Sequence, residues 1–542
     1  MNVAQEIVGW MIGKGIRCVF GIPGGGASLD LINAAEQEGI EYVLMSHEGS
    51  ASTAAAVFGD LEGTVGVCST IMGPGAMNAV FGAGLACLEN LPLIVFTDRY
   101  PNSVWDKISH QRICHHELFT AVVKHSGTVE VGNVYGVLDA AYEHVFRGRP
   151  GAAHIDLPND LLNRASDSPK PSARPTGTTF PSEADIRAAV VQIDRAARPV
   201  LLVGAGAKNP LLRRSLTAFV DKLGIPFLPS YRAKGLISED HPLYAGAMFG
   251  LSNEGSFEHC VLSQADLLIQ VGTRRSETPR VWGFDTASVL IDDVDPGEES
   301  VAPAGVRLIG DLGDLINNVG QQVSQRECWD RRQIQSLWER LLSKVEMSDQ
   351  ALTTEGVITI ARELLPKESY VCSETGVFNM MLGHLWRSYR PNTFLTPSAT
   401  TTMGFSIPAV LAASLHDPAH HALAFCGDGS FHMRAGELET LGRIGARVVL
   451  VVFHDGGLGT IKIPYRAKSY ACGGLDFGDV DIAKIADGYN LRGARVYDHA
   501  GYRDALSEAL RHDGPTLIEV MIDARDYDRF VDEIRSNMTL AH

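Results

Sequence analysis

The sequence predicts an α/β fold of three doubly wound parallel-sheet domains, which we place at residues 1–165, 183–325 and 350–530. Strand-length apolar runs alternate with helical stretches, a pattern typical of parallel sheets covered by helices. A polar, proline-rich segment from Ser166 to Ser182 indicates a linker. A charged, helix-like stretch from Gln325 to Met347 leads into the last domain. The length of 542 residues agrees with three domains of ordinary size.

The first domain begins with alternating predicted helices and strands. We expect a helix from about Val3 to Lys14, a strand at Cys18 to Phe20, a helix to about Glu38 and a strand at Glu41 to Met45. The first strand is joined to its helix by the glycine-rich turn Gly21 to Gly26. Glycines such as Gly24 permit close backbone approach, and Pro23 stiffens the turn. The turn is therefore a candidate binding element.

The middle domain begins with the apolar run Pro199 to Val203, and further strands are expected at Leu267 to Val271 and Val289 to Ile291. Gly204 and Gly206 follow the first of these strands, but the third glycine of a dinucleotide fingerprint is missing. The pattern therefore argues against NAD binding.

The third domain carries the most informative motif. The apolar run Ala422 to Phe425 precedes Cys426-Gly427-Asp428-Gly429-Ser430, and the run Arg447 to Phe453 precedes His454-Asp455-Gly456-Gly457. With a helix from about Ala435 to Ile444 between the runs, a right-handed crossover would bring both strand ends together. Asp428 and Asp455 would then face one site. Two carboxylates beside small glycines suit Mg²⁺ and a diphosphate.

Composition excludes several classes of function. The net charge of −17, without a stripe of Lys and Arg, argues against nucleic-acid binding. Nine cysteines without a CxxC pair indicate reduced thiols, and we expect a cytoplasmic protein. We found neither a secretory signal nor an apolar run of membrane-spanning length, so no membrane association is expected.

The Gly427-Asp428-Gly429 motif and its partner segment resemble those of the thiamine diphosphate-dependent enzymes, in the branch of acetolactate synthases, pyruvate oxidases and benzoylformate decarboxylases. The resemblance extends over nearly the whole chain and implies pyrimidine, middle and diphosphate domains. In that family two asparagines stand where this chain has His454 and Asp455. The resemblance implies thiamine diphosphate and Mg²⁺ as cofactors, with Asp428, Asp455 and the Gly457 carbonyl as metal ligands.

The resemblance also implies roles for further residues. Glu48 would exchange a proton with the cofactor's pyrimidine ring, and Met403 with the Thr401 carbonyl would hold the cofactor bent. The other implied contacts to the cofactor are Pro23, Gly24, Asn78, Gly427, Gly429 and Ser430. Taken alone, Glu48 is also explained by its place near a helix N-terminus, and Met403 as core filler. The Gly-Asp-Gly sequence would also fit an ordinary turn.

Gln111, His115 and His116 are candidates on the substrate side. Gln111 falls near the position of a channel glutamine in acetolactate synthases. The adjacent histidines resemble the catalytic pair of pyruvate decarboxylases, although the spacing differs. A solvated histidine pair is the alternative.

The resemblance implies a 2-oxo acid decarboxylase and carboligase that transfers an acyl unit to an aldehyde or a second oxo acid, in a homodimer or homotetramer. A decarboxylase without ligation stays open. So does an FAD-dependent enzyme of the pyruvate oxidase kind, in which the Gly204 to Gly206 turn and the segment Asp292 to Pro296 would contact the flavin. A binding protein without catalysis is a third alternative.

Overall fold

The computed structural model describes residues 1–170, 180–250, 257–278, 282–342, 352–470, 473–523 and 527. Parts of four predicted segments lie outside the described residues: 171–179 of the linker, 251–256 and 279–281 of the middle domain, 343–347 of the charged helix, and 350–351, 471–472, 524–526 and 528–530 of the third domain. Within the described ranges the strands form three sheets, and every ladder between these strands is parallel. The predicted α/β class of three parallel-sheet domains is confirmed.

The first sheet has the strand order β2-β1-β3-β4-β6-β5. Its strands are β1 (Cys18–Ile22), β2 (Glu41–Leu44), β3 (Gly66–Thr70), β4 (Leu93–Arg99), β5 (His125–Thr128) and β6 (Ala152–Pro158). Its helices are α1 (Val3–Gly13), α2 (Ala27–Gln37), α3 (Glu48–Glu62), α4 (Pro74–Glu89), α5 (His115–Thr120) and α6 (Val134–Phe146). The inner strands β1, β3, β4 and β6 are buried on both faces because helices cover the sheet from both sides, whereas the edge strands β2 and β5 are partly exposed.

The middle sheet has the order β11-β10-β9-β7-β8. Its strands are β7 (Pro199–Val203), β8 (Phe227–Pro229), β9 (Leu267–Val271), β10 (Ser288–Asp292) and β11 (Val306–Ile309). Its helices are α7 (Glu183–Arg195), α8 (Arg213–Leu223), α9 (Phe257–Leu262), α10 (Leu312–Gln322) and α11 (Arg331–Leu342). Trp329, Ile334 and Leu337 join this core, so its packing extends beyond residue 325.

The third sheet has the order β13-β12-β14-β15-β17-β16, the same pattern as the first. Its strands are β12 (Tyr370–Cys372), β13 (Phe394–Leu395), β14 (Ala422–Gly427), β15 (Val448–His454), β16 (Arg492–Val496) and β17 (Thr516–Met521). Its helices are α12 (Thr354–Leu364), α13 (Val377–Leu385), α14 (Ser406–His416), α15 (Asp428–Arg434), α16 (Glu437–Arg443), α17 (Gly459–Ala467), α18 (Ile482–Gly488) and α19 (His499–Ala509).

One apolar core joins the first and third domains. Helix α3 is lined with small residues, among them Ala51, Ala54 and Ala55, and it packs closely against α14. Small side chains allow two helix backbones to approach. The two sheets therefore share a helical layer, and Glu48 is the first residue of one of its helices.

The helix predicted from about Ala435 to Ile444 is confirmed as α16. The structure adds a short helix before it, which begins at Asp428, immediately after β14. The chain turns at Ala435 and Gly436 before the second helix. Asp428 is thus the first helical residue after the strand, a position that the apolar pattern could not reveal.

Of the helices in the described ranges, none combines the length and the apolar character that a bilayer crossing requires.

Candidate functional site

A cavity lies at the carboxyl ends of β14 and β15, where parallel α/β sheets commonly bind ligands. The predicted residues Met403, Gly427, Asp428, Gly429, Ser430, Asp455 and Gly457 all line it. Further lining residues, none of them among the predicted site residues, are Thr375, Gly376, Val377, Phe378, Leu458, Gly459, Thr460, Ile461 and Tyr527. The right-handed crossover has therefore brought both acidic segments to one place.

Asp428 is buried and connects the two strand ends. Its Oδ1 accepts a hydrogen bond of 2.7 Å from the Gly429 N–H, and its Oδ2 accepts one of 2.8 Å from the Gly456 N–H. Burial raises the pKa of this carboxyl group. These two bonds hold the carboxylate at the floor of the cavity.

Asp455 faces the same space. Burial, followed by the charge of Asp428, raises the pKa of Asp455 to about 6. Its Oδ1 accepts from the Gly457 N–H at 3.1 Å, and the Gly457 carbonyl accepts from the Gly459 N–H at 3.1 Å. Two neighbouring carboxylates and a carbonyl with a second lone pair form an all-oxygen donor set. This chemistry fits a hard divalent cation such as Mg²⁺.

The glycine turn leaves room beside these carboxylates. A Cβ on Gly429 would lie 3.2 Å from Met403 Cε and 3.0 Å from Phe477 Cε2, so a larger residue would press on these two side chains. Thr401 and Gly404, on either side of Met403, both have positive φ angles, 42° and 76°. The bent backbone presents the Met403 side chain to the cavity.

Glu374 binds the segment that contains Phe405 and Ser406. It is fully buried, and its Oε2 accepts from the N–H groups of Phe405 at 2.7 Å and Ser406 at 3.2 Å. Burial raises the pKa of this carboxyl group to about 7. Glu374 therefore anchors the segment that follows Met403.

The second group of predicted residues lies in the first domain. Glu48 begins α3, is 8% exposed, and accepts a hydrogen bond of 2.9 Å at Oε2 from Asn78 Nδ2. A Cβ on Gly75 would lie 3.1 Å from Glu48 Oε1. These residues and the turn that contains Pro23 and Gly24 do not line the Asp428 cavity. Within one chain, the predicted residues around Glu48 and those around Asp428 thus form two separate groups.

The Gly24 turn is fixed by a buried aspartate that sequence reasoning missed. Asp98, 1% exposed, accepts from the Ser28 N–H and Oγ–H, both at 2.7 Å, while the Gly24 N–H donates to Ser28 Oγ at 3.0 Å. Burial raises the pKa of Asp98 to about 6. A carboxylate shortly after the apolar run Leu93 to Phe96 was the signal that could have found it.

The adjacent histidines differ in their surroundings. His116 is exposed, whereas His115 is 3% exposed and contacts Asp156 and Gly73, so the alternative of a solvated pair is wrong for His115. Neither histidine lines the Asp428 cavity. Gln111 has a positive φ of 53° and packs against Gly73.

His454, which departs from the resembled pattern, faces away from its neighbour Asp455. Its Nδ1 lies 2.5 Å from Glu519 Oε1, and Arg495 binds the same carboxylate through two nitrogens. These partners lower the pKa of Glu519 to about 2, against the effect of its burial. His454 thus belongs to an ion-pair network behind the site.

The structure does not favour the flavin contacts considered from the sequence. Asp292 is fully buried between Arg149 and Arg274, with which it forms ion pairs. A Cβ on Gly206 would lie 2.7 Å from Arg149 Nη1 and 2.8 Å from Arg274 Nη2. Guanidinium groups of the chain itself therefore cover the Gly204 to Gly206 turn.

Comparison with known proteins agrees with this geometry. Three family models of thiamine pyrophosphate enzymes match the chain. They are the N-terminal TPP binding domain at residues 1–119, the central domain at 186–319 and the C-terminal TPP binding domain at 374–520.

The probable acetolactate synthase large subunit of Methanococcus aeolicus is 28% identical, over 96% of this chain and 92% of that protein. The acetolactate synthase of Bacillus subtilis is 28% identical over 96% and 93%. The large subunit of acetolactate synthase isozyme 2 of Escherichia coli is 28% identical over 96% of both. The chain is a thiamine diphosphate-dependent enzyme and belongs, within that family, to the branch of the acetolactate synthases.

Proposed function

We propose that the enzyme uses thiamine diphosphate and Mg²⁺ to decarboxylate a 2-oxo acid and to transfer the acyl unit to an aldehyde or a second 2-oxo acid. The supporting observation is the position of Asp428. It joins the ends of two neighbouring strands through its hydrogen bonds and shares a cavity with Asp455 and Met403. We assign the pyrimidine, middle and diphosphate domains to residues 1–165, 183–325 and 350–530.

The oxygen donors of the cavity would hold the metal and the diphosphate. Asp428, Asp455 and the Gly457 carbonyl would bind Mg²⁺, which commonly takes one or two protein carboxylates together with phosphate oxygens. A cation between the two carboxylates would also offset their mutual repulsion. Gly427, Gly429 and Ser430 would border the diphosphate, because the glycines leave the backbone accessible.

When bound, thiamine diphosphate supplies both the nucleophile that adds to a 2-oxo acid and the electron sink that lets CO₂ leave. The protein would supply shape and proton transfer. Met403 would support the bent cofactor, and the Thr401 carbonyl would accept a hydrogen bond from it. Glu48 would hold or release a proton at its carboxylate, the role of a general acid–base in a dry site.

The donor class follows from the names of the relatives, and pyruvate is the first donor to test. We propose Gln111 as a substrate-side residue. We do not retain His116 as a catalytic residue, because its side chain is exposed.

We further propose a homodimer or homotetramer. Glu48 and Asp428 belong to different halves of the site, and a second copy of the chain would supply the missing half of each. Mixing Glu48→Gln chains with Asp428→Ala chains tests this assembly.

The experiment is a screen of 2-oxo acids by mass spectrometry, with thiamine diphosphate and Mg²⁺ added, in the presence and absence of aldehyde acceptors. Ligated products support the proposal. Release of an aldehyde alone would assign a decarboxylase without ligation, and no turnover of any 2-oxo acid would contradict the proposal. An absorption spectrum with flavin bands after purification would revive the oxidase alternative.

A further inference from the structure

A buried cluster in the first domain lies outside the Asp428 cavity. His115, His154 and Asp156 are each no more than 4% exposed, and their nearest ligand-type atoms lie within 4.8 Å of one another. The Thr97 hydroxyl lies among them, 2.8 Å from Asp156 Oδ1, 2.8 Å from His154 Nε2 and 3.2 Å from His115 Nδ1. The hydroxyl occupies the centre that a metal ion would need, so hydrogen bonds rather than a metal account for this cluster.

The hydrogen bonds of His115 determine its tautomer. Its Nδ1 lies 2.7 Å from Asp156 Oδ1, and its Nε2 lies 3.1 Å from the Gly73 backbone nitrogen. An N–H group can only donate, so Nε2 must accept and the ring proton must be on Nδ1, where Asp156 accepts it. The buried carboxylate thus orients the imidazole, and the imidazole binds the Gly73 N–H.

Gly73 is a demanding position in the backbone. It has φ 67° and ψ −109° immediately before α4, and a Cβ there would lie 2.6 Å from the Gln111 carbonyl oxygen. Gln111 itself has φ 53°, a conformation that is unfavourable for a non-glycine residue and persists only where its surroundings impose it. His115 follows Gln111 by one short loop and binds the residue against which Gln111 packs.

The same turn supports Glu48. Helix α4 begins at Pro74, directly after Gly73, and carries both Gly75, which packs against Glu48 Oε1, and Asn78, which donates to Glu48 Oε2. A displacement of Gly73 would therefore move the contacts of Glu48 and Gln111 together.

We propose that His115 is a positioning residue, whose Nε2 fixes Gly73 and thereby sets the acid–base residue Glu48 and the substrate-side residue Gln111 relative to each other. Asp156 supports it by holding the proton on Nδ1. The inference rests on the proposed function for the roles of Glu48 and Gln111, but the contact between His115 and Gly73 can be measured without it. His115 itself touches no reacting atom in this arrangement.

Two substitutions test the roles of His115 Nδ1 and Nε2 separately. In His115→Asn the amide occupies the place of Nδ1 and keeps a donor for Asp156, but loses the acceptor for Gly73. In His115→Gln the side chain reaches the place of Nε2 and keeps that acceptor, but loses the donor to Asp156. His144→Asn, in α6, is the matched control for removing a histidine from this domain.

The first measurement is amide hydrogen exchange of the segment 71–78 in cofactor-free protein. His115→Asn should lose about tenfold in protection at Gly73, which corresponds to one hydrogen bond, whereas His115→Gln and His144→Asn should stay close to the unsubstituted protein. Exchange in strand β14 is followed in parallel and should not change. Protection at Gly73 that is unaffected in His115→Asn, or lost equally in both His115 variants, overturns the proposal.

The second measurement is catalysis with cofactor. His115→Asn should lower kcat by about 10- to 100-fold while KM for thiamine diphosphate changes little, because misplacement affects the reacting geometry rather than the diphosphate site. His115→Gln should recover most of this loss. Asp156→Asn, which permits the other tautomer, should resemble His115→Asn. An exposed Gly73 amide with unchanged kcat would overturn the link to catalysis, whereas an unsubstituted enzyme without turnover would count against the proposed function and leave the exchange result to decide the contact.

Discussion

Asn78 donates a hydrogen bond of 2.9 Å from Nδ2 to Oε2 of Glu48 and so joins the second turn of α4 to the first residue of α3. The bond occupies one carboxylate oxygen, and the other, Oε1, would lie 3.1 Å from a Cβ on Gly75. A carboxylate held at one oxygen can exchange a proton at the other without changing its place. This arrangement is the basis of the first prediction.

Glu48→Gln should leave the fold intact and lower turnover by about 10²–10⁴-fold, because the amide cannot act as a general acid–base. Turnover and the exchange of the cofactor C2 proton for deuterium are measured together, with thermal unfolding as the control for folding. Both rates should fall in parallel. Unchanged turnover would remove Glu48 from the reaction.

Asp428→Ala should weaken Mg²⁺-dependent binding of thiamine diphosphate more than Asp455→Asn does. The alanine removes an oxygen ligand and the bonds to Gly429 and Gly456, whereas the asparagine keeps an oxygen donor. Cofactor affinity titrated against Mg²⁺ concentration is the measurement. Equally severe losses in both variants would show that Asp455 does more than donate an oxygen.

Mixed assemblies of Glu48→Gln and Asp428→Ala chains should regain activity if two copies share each site. Each variant alone lacks one half of every site, but a mixed dimer contains one site with both halves intact. The chains are mixed under conditions that permit exchange and assayed after reassembly, with each parent treated identically. Mixed dimers as inactive as both parents would contradict a shared site.

Asp98→Asn should stabilise the protein at neutral pH. Burial, with a smaller effect of the Asp30 charge, raises the pKa of Asp98 to about 6, so the folded protein favours its protonated form. For a carboxyl group raised in this way, the stabilisation is complete below the unfolded pKa of about 4 and is lost as pH rises through about 6. The asparagine stays neutral throughout.

The gain at pH 7.5 has an upper bound of about 3 kcal/mol, reduced by the loss of the bonds from Ser28 to a carboxylate. Denaturant unfolding at pH 4 and pH 7.5 measures it, with the exposed Asp106→Asn as control. A difference between Asp98→Asn and the unsubstituted protein that is the same at both pH values would show that the charge of Asp98 is not involved.

The sequence by itself determined the fold class and the location of the Gly427-Asp428-Gly429 motif at a strand end. Alternating apolar runs and glycine turns suffice for parallel sheets, and the rule for right-handed crossovers places Asp428 beside Asp455 without any knowledge of packing. Local patterns of apolar runs and glycine turns were therefore sufficient to predict which residues meet at the ends of neighbouring strands.

Only the tertiary structure decided which polar side chains are buried and what they contact. The sequence shows His115 and His116 as an adjacent pair, but the fold buries one against Asp156 and exposes the other. Asp98 and Asp156 each follow apolar strand residues, and their partners come from segments distant in sequence. Such contacts depend on how helices and strands pack together. The periodicity of apolar residues along the chain does not show which distant residue a buried side chain will contact.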